Sequence, residues 1–142
     1  MNIYLASPFF NEEEVNAVKE TANVLRWHGH QVYVPMEHEA RTDININPTK
    51  FSQETFEDDV KAIQEADIVV ALYWGNYSDS GTAWEIGYAY GTKTPVIVVH
   101  MKEHKSNLMI HESAKANIKG LLNLGIYDFD NLPEIKWEGD LI

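Results

Sequence analysis

The sequence predicts a doubly wound α/β domain, a parallel five-stranded sheet flanked by helices. Three observations predict it. Short apolar runs alternate with amphipathic segments at helical spacing, the order that βαβ units require. Two of the runs, Ile68-Val69-Val70-Ala71-Leu72 and Val96-Ile97-Val98-Val99, are apolar without alternation, as strands covered on both faces are. The chain has 142 residues, 44% of them hydrophobic and 23% charged, which suits one soluble domain over 1–142 with a substantial core.

Residues 3–6 form a short strand that ends at Ser7-Pro8-Phe9-Phe10, a turn carrying two aromatics. Asn11 caps the following helix, and Glu12-Glu13-Glu14 in its first turn suit the helix dipole. Val15, Val18, Ala22 and Leu25 give that helix its core face, and Gly29 is placed to end it. Residues 31–34 are the second strand, closed by Pro35, and the crossover between the two strands is right-handed. Residues 36–48 read as an irregular polar loop beside a site. Its Glu37-His38-Glu39 cluster has no companion at ligand spacing, so no metal centre is expected.

The second helix spans 52–65 with Phe56, Val60 and Ile63 on its apolar face, and 67–73 is the third strand. A loop over 74–80 leads to a third helix from 82 to about 92, and 95–100 is the fourth strand. After a charged loop at 102–106, Asn107-Leu108-Met109-Ile110 opens a helix reaching about residue 116. Residues 117–126 read as a short helix and then an edge strand, and 127–133 as a turn into a tail. The strand order, taken by analogy, is flavodoxin-like.

A net charge of −11 would repel nucleic acid and anionic membranes, so neither is expected as a partner. The absence of cysteine removes thiol and disulfide chemistry and suits a reducing compartment. No basic leader opens the sequence, and no apolar run approaches the ~20 residues that span a bilayer, so the expected location is cytoplasmic. There is no G-x-G-x-x-G after the first strand, no G-x-x-x-x-G-K-[ST] and no G-x-S-x-G. A dinucleotide cofactor, a triphosphate loop and a serine triad are therefore not expected. Carboxylates, a strand tyrosine and aromatics remain, and these suit a neutral sugar–base substrate better than a phosphate.

The chain is organised around Asp79-Ser80-Gly81-Thr82-Ala83-Trp84-Glu85-Ile86-Gly87-Tyr88-Ala89. This stretch follows a buried strand and opens a helix, which is where open α/β sheets hold ligands. Asp79 and Glu85 flank a glycine turn, and Glu85 is the expected reactive group. A purely structural reading stands beside it. Thr82-Ala83-Trp84-Glu85 fits a capping box, with Gly81 and Gly87 serving a tight turn and close packing. Asp59, in mid-helix, is a poor helix former whose ordinary explanation is a solvated face.

Four segments carry a resemblance: Ile3-Tyr4-Leu5-Ala6-Ser7-Pro8-Phe9-Phe10, Phe56-Glu57-Asp58-Asp59-Val60 followed by Ala66-Asp67, the stretch from Asp79 to Ala89, and Asn107-Leu108-Met109. In this order, over nearly the whole chain, the sequence resembles the nucleoside 2-deoxyribosyltransferases. That resemblance implies cofactor-free, ping-pong exchange of the base of 2′-deoxynucleosides with free purine or pyrimidine bases. It implies Glu85 as nucleophile towards C1′, ionised near a helix N-terminus, with Tyr4 orienting its carboxylate. Asp59 would trade a proton with the base. Asp79 would bind the 5′-hydroxyl and disfavour a 5′-phosphate, and Asn117 would reach that hydroxyl in a neighbouring subunit of a homo-oligomer. Gly81, Phe9 and Glu39 are further expected substrate contacts, Phe9 and the 36–39 segment towards the base. The alternatives are a nucleoside or nucleoside 5′-monophosphate N-glycosidase, in which water accepts the sugar, and a non-catalytic nucleoside-binding module.

Overall fold

Five parallel strands with helices on both faces make up the computed structural model of the chain, which describes residues 1–102 and 105–141. The strands are β1 (Asn2–Ala6), β2 (Gln31–Tyr33), β3 (Ile68–Tyr73), β4 (Val96–His100) and β5 (Ala116–Lys119). Their spatial order, β2-β1-β3-β4-β5, is the flavodoxin-like one expected. The order reverses between β1 and β3, so their carboxyl ends form the switch point at which such sheets bind ligands.

Alternation along the strands divides the core in two. Ile3, Leu5, Val70 and Leu72 face one layer, with Val18, Ala22 and Leu25 of helix α1 (Glu12–Trp27) and Leu124 of α5 (Gly120–Gly125). Tyr4, Ala6, Val69 and Ala71 face the other, with Ile63 of α2 (Pro48–Glu65), Ile86 of α3 (Ser80–Gly91) and Ile110 of α4 (Leu108–Ser113). The site lies in the second layer.

Local signals account for most boundaries. Asn11 caps α1 by accepting from the Glu14 amide at 2.9 Å, and Gly29 follows the helix at φ 90°. Glu14 is buried at 1% exposure, accepting from the Phe10 amide at 2.9 Å and the Ser78 hydroxyl at 2.8 Å. It thereby ties the loop after β1 to the loop after β3.

Several bounds differ from expectation, among them the helix after Asn107, which ends at Ser113 rather than about 116. Helix α2 begins at Pro48 rather than 52, because Asn47 accepts from the Lys50 amide at 3.0 Å and Pro48 sits at the first helical position. Helix α3 begins at Ser80 rather than 82. The last two elements come in the reverse order, strand β5 before helix α5. Ala116 and Ile118 are buried and pair with β4, and Gly120, at φ 75°, turns the chain directly into α5.

Of the charged loop at 102–106, Glu103 and His104 lie outside the described residues. The C-terminal stretch packs back onto the domain through bridges Ala116–Ile135 and Ser106–Leu141. Among the described residues no helix is long and apolar enough to cross a membrane.

Candidate active site

Two helix faces make the cavity at the switch point. On α2, Phe56, Asp59, Val60 and Ile63 recur at helical spacing, so Asp59 lies within the apolar stripe and not on a solvated face. On α3, Gly81, Trp84 and Glu85 stand at the same spacing on the facing wall. Together they enclose about 320 Å³, at the lower end of small-ligand sites. The Phe56 ring meets Trp84 edge-on at 5.4 Å, and Trp84 stacks on Tyr88 at 5.3 Å. The wall holds two carboxylates and no Lys or Arg.

Gly81 sits one turn before Glu85, and an added Cβ there would meet no atom within 4 Å. What the glycine preserves is open volume beside the carboxylate. Gly87 is likewise exposed with nothing within 4 Å, so close helix–strand packing is not its role.

The capping-box reading of Glu85 fails on geometry. Because α3 starts at Ser80, Thr82 and Glu85 lie beyond its N-cap, and the box is formed instead by Asn76 and Asp79 around the short 3-10 turn Tyr77–Asp79. The Glu85 carboxylate accepts a hydrogen bond from the Tyr4 hydroxyl. Tyr4 is fully buried in β1, so its hydroxyl is a fixed donor.

The protonation of Glu85 also departs from expectation. Burial pushes its pKa up to about 7, opposed by the Tyr4 hydrogen bond and reinforced by the Asp59 charge. The helix N-terminus lies more than a turn away, where its field has faded. Burial likewise raises Asp59 to about 6, opposed by a hydrogen bond from Tyr33. Desolvation, the Glu85 and Asp59 charges and the bond to Glu85 drive Tyr4 upwards, so it stays protonated as the donor.

Tyr4, Asp59, Glu85 and Gly81 are thus brought together. Of the expected site residues Asp59, Gly81 and Glu85 line this cavity, and buried Tyr4 bonds Glu85 from β1. Asp79 is 3% exposed, its carboxylate accepting from the amides of Trp74 at 3.0 Å and Asn76 at 2.9 Å. That holds the turn leading into α3 and leaves lone pairs on the carboxylate for a further donor. Asp79→Ala is expected to lower unfolding free energy by about 2 kcal/mol, the cost of stranding buried amides bonded to a charge, read from urea denaturation.

Asn117 is corrected. It is 6% exposed in β5, with Oδ1 accepting from His100 Nε2 at 2.9 Å and Nδ2 donating to the His111 and Ile135 carbonyls at 3.0 and 3.2 Å. A side chain so occupied cannot reach a neighbouring subunit. Asn107, in another of the segments that carry the resemblance, is instead exposed at the start of α4, accepting from the Met109 amide at 2.9 Å.

Phe9 is 41% exposed and stacks on Phe10 at 6.2 Å. Glu39 borders an adjoining groove of about 560 Å³ shared with Tyr33, His38 and Asp58. Tyr33, not singled out in the sequence, is the added element. Its hydroxyl lies 3.5 Å from Asp59 Oδ1, and its ring stacks between Tyr4 at 5.6 Å and His38 at 4.0 Å. Among the described residues no cluster of three or more His, Asp or Glu is arranged to hold a metal ion.

Comparison with known proteins identifies the family. A family model described as nucleoside 2-deoxyribosyltransferase matches residues 3–119. The solved 2-deoxyribosyltransferase of Bacillus psychrosaccharolyticus is 36% identical, with a TM-score of 0.89 over 96% of this chain and 99% of that one. A Thermofilum pendens protein carrying the name 2′-deoxynucleoside 5′-phosphate N-hydrolase 1 is 30% identical over 122 residues, 85% of this chain and 78% of that one. The nucleoside deoxyribosyltransferase of Limosilactobacillus fermentum is 27% identical over 122 residues, 76% of this chain and 73% of that one. A fold, a tyrosine-held glutamate and a match over most of the chain lead to one conclusion: the chain belongs to the nucleoside 2-deoxyribosyltransferase family.

Proposed function

We propose that the protein exchanges the base of 2′-deoxynucleosides through a deoxyribosyl ester on Glu85. The observation that carries this reading is the pair Glu85 and Asp59 facing one small aromatic-walled cavity, one carboxylate held by a buried tyrosine. In the first half-reaction a Glu85 oxygen bonds to C1′, the C1′–N bond breaks, and its electron pair leaves with the base. Asp59 supplies the proton that the departing nitrogen takes up. In the second half-reaction an incoming base loses its proton to Asp59 and attacks C1′ of the ester, freeing Glu85. Two inversions retain configuration, as in other carboxylate-ester routes. The apolar rings supply stacking surface for a base.

A nucleoside fits this wall better than a nucleotide. A 5′-phosphate would meet carboxylates and no compensating Lys or Arg in the cavity. Hydrolysis remains the second reading, favoured by the 30% identity to a protein named as an N-hydrolase. A homo-oligomer and a cytoplasmic location belong to the proposal. In such an oligomer the asparagine offered to a neighbour's site is Asn107, given its exposure.

Incubation with 2′-deoxyinosine, with and without adenine, separates the readings by chromatography. 2′-Deoxyadenosine formed only with adenine supports exchange. Hypoxanthine released equally without adenine, and no new nucleoside, makes the protein a hydrolase.

Exchange needs Glu85 ionised and Asp59 protonated. With Glu85 near 7 and Asp59 near 6, kcat/KM is expected to follow a narrow bell with limbs close to pH 6 and 7. Below it Glu85 holds its proton, and above it Asp59 has none to give. A pH-rate profile flat from 5 to 8 would contradict this assignment.

A further inference from the structure

The two carboxylates are served by two tyrosines. In the parallel register of β1 and β2, Tyr4 lies directly beside Tyr33, so both rings stand on the same face of the sheet. They stack at 5.6 Å with 13° between planes. The Tyr4 hydroxyl is given to Glu85 and the Tyr33 hydroxyl to Asp59.

Tyr33 is held from its other side as well. Just after β2 the chain turns through the 3-10 segment Pro35–Glu37, closed by the His38 amide donating to the Pro35 carbonyl at 3.0 Å. This returns the His38 ring flat onto Tyr33, at 4.0 Å with 7° between planes. Clamped between two rings, Tyr33 can move its hydroxyl little. That restraint matters because β2 is an edge strand of three residues, which would otherwise hold a site group loosely.

We infer that Tyr33 is a positioning residue that aims Asp59 at the leaving base and favours the carboxylate formed when Asp59 gives up its proton. The inference rests on the exchange reading above. In the step concerned, the Asp59 O–H bond breaks and an N–H bond forms on the departing base. The charge left on Asp59 is then met by the Tyr33 hydroxyl. A hydrogen bond to the ionised form favours that form. The present 3.5 Å separation is long, as such bonds commonly are before substrate binds. The other charged or titratable groups around Asp59 are its helix neighbour Asp58, which is bonded to Arg41, then His38 beside Tyr33, and Glu85 and Tyr4 across the cavity.

Tyr33→Phe tests this, since it keeps both ring stacks and removes only the hydroxyl. Two donors are compared by the single-turnover rate of base release, the half-reaction before any acceptor enters, with spontaneous decay subtracted. 2′-Deoxyinosine needs a proton on its leaving base, whereas 7-methyl-2′-deoxyguanosine carries a cationic base that departs neutral without one. The variant is expected to move the 2′-deoxyinosine bell to higher pH and to lower the rate of base release about tenfold, the scale of one bond to a charged group. The methylated donor is expected to keep its rate within about twofold. Equal losses on both donors with no movement of the bell would make Tyr33 merely structural, and no change on either would also overturn the inference.

Carbon-detected NMR titration of the Asp59 carboxyl, assigned through Asp59→Asn, gives a reading that needs no turnover. The Asp59 pKa is expected to rise in the variant, and an unmoved titration would overturn the inference even if exchange proceeds. Wild-type protein inactive on both donors would instead bring down the exchange reading, leaving the Tyr33–Asp59 coupling to be judged by the titration.

Discussion

Glu85→Ala is expected to fold, to bind 2′-deoxynucleosides and to lose exchange activity by about 10⁴-fold or more, the scale seen when a covalent nucleophile is removed. The size of the effect follows from the mechanism, because the bond to C1′ is assigned to Glu85 alone and Asp59 only moves a proton. Asp59, the second carboxylate, stands on the opposite helix and is engaged by Tyr33. Retained turnover in Glu85→Ala would sink the nucleophile assignment.

Stability should respond in a way that a capping role would not allow. Folding raises the Glu85 pKa to about 7 from its ordinary 4.5. Between those values the folded protein binds more protons than the unfolded chain, so stability falls as pH rises through that window. Glu85→Gln keeps an acceptor for Tyr4 but carries no charge to desolvate. The variant should match wild type near pH 5 and exceed it at pH 8 by on the order of 2 kcal/mol. A helix cap would give the opposite result, a loss of about 1 kcal/mol on replacement. Urea denaturation at the two pH values distinguishes the cases.

Asp59→Asn should be the second largest effect, lowering exchange from 2′-deoxyinosine by about 10²- to 10⁴-fold, the range of general acid catalysis. The asparagine keeps the shape of the apolar stripe on α2 and removes the proton. Because the Asp59 charge helps to raise Glu85, its removal should also let Glu85 ionise at lower pH. The alkaline limb of the bell should vanish, leaving a rise centred below pH 7. An unaltered bell would place the acid elsewhere.

Much of this was legible in the sequence for physical reasons. The uninterrupted apolar runs that became β3 and β4 can only be strands covered on both faces, and the Asn11 cap with its acidic first turn marks α1. Glu85 stood out in its loop-to-helix motif and Asp59 as a poor helix former, the roles of Tyr4 and Asp59 came with the family resemblance, and the fold brings all three together. The start of α3 was misplaced because Thr82 and Glu85 satisfy a cap pattern. Asn76 and Asp79 satisfy the same pattern six residues earlier and take it. Glu85 therefore sits deeper in its helix, more desolvated and less acidic than its motif implied.

The order of the last two elements was misread because a four-residue strand and a six-residue helix are too short for hydrophobic period to tell apart. Tyr33 left no signal at all. Its partnership with Tyr4 exists only in the register of β1 and β2, which the sequence does not display. Glu14, expected to serve only the helix dipole, proved to be a buried tie between two loops for the same reason.

The most direct measurement is intact-mass spectrometry of the protein quenched in acid during incubation with 2′-deoxyinosine alone, followed by peptide mapping. The result expected is an adduct of one deoxyribosyl group on the peptide containing Glu85, lost on adding adenine as 2′-deoxyadenosine appears. Turnover without any adduct, or an adduct mapping to Asp59 instead, would contradict the assignment of Glu85 as the nucleophile.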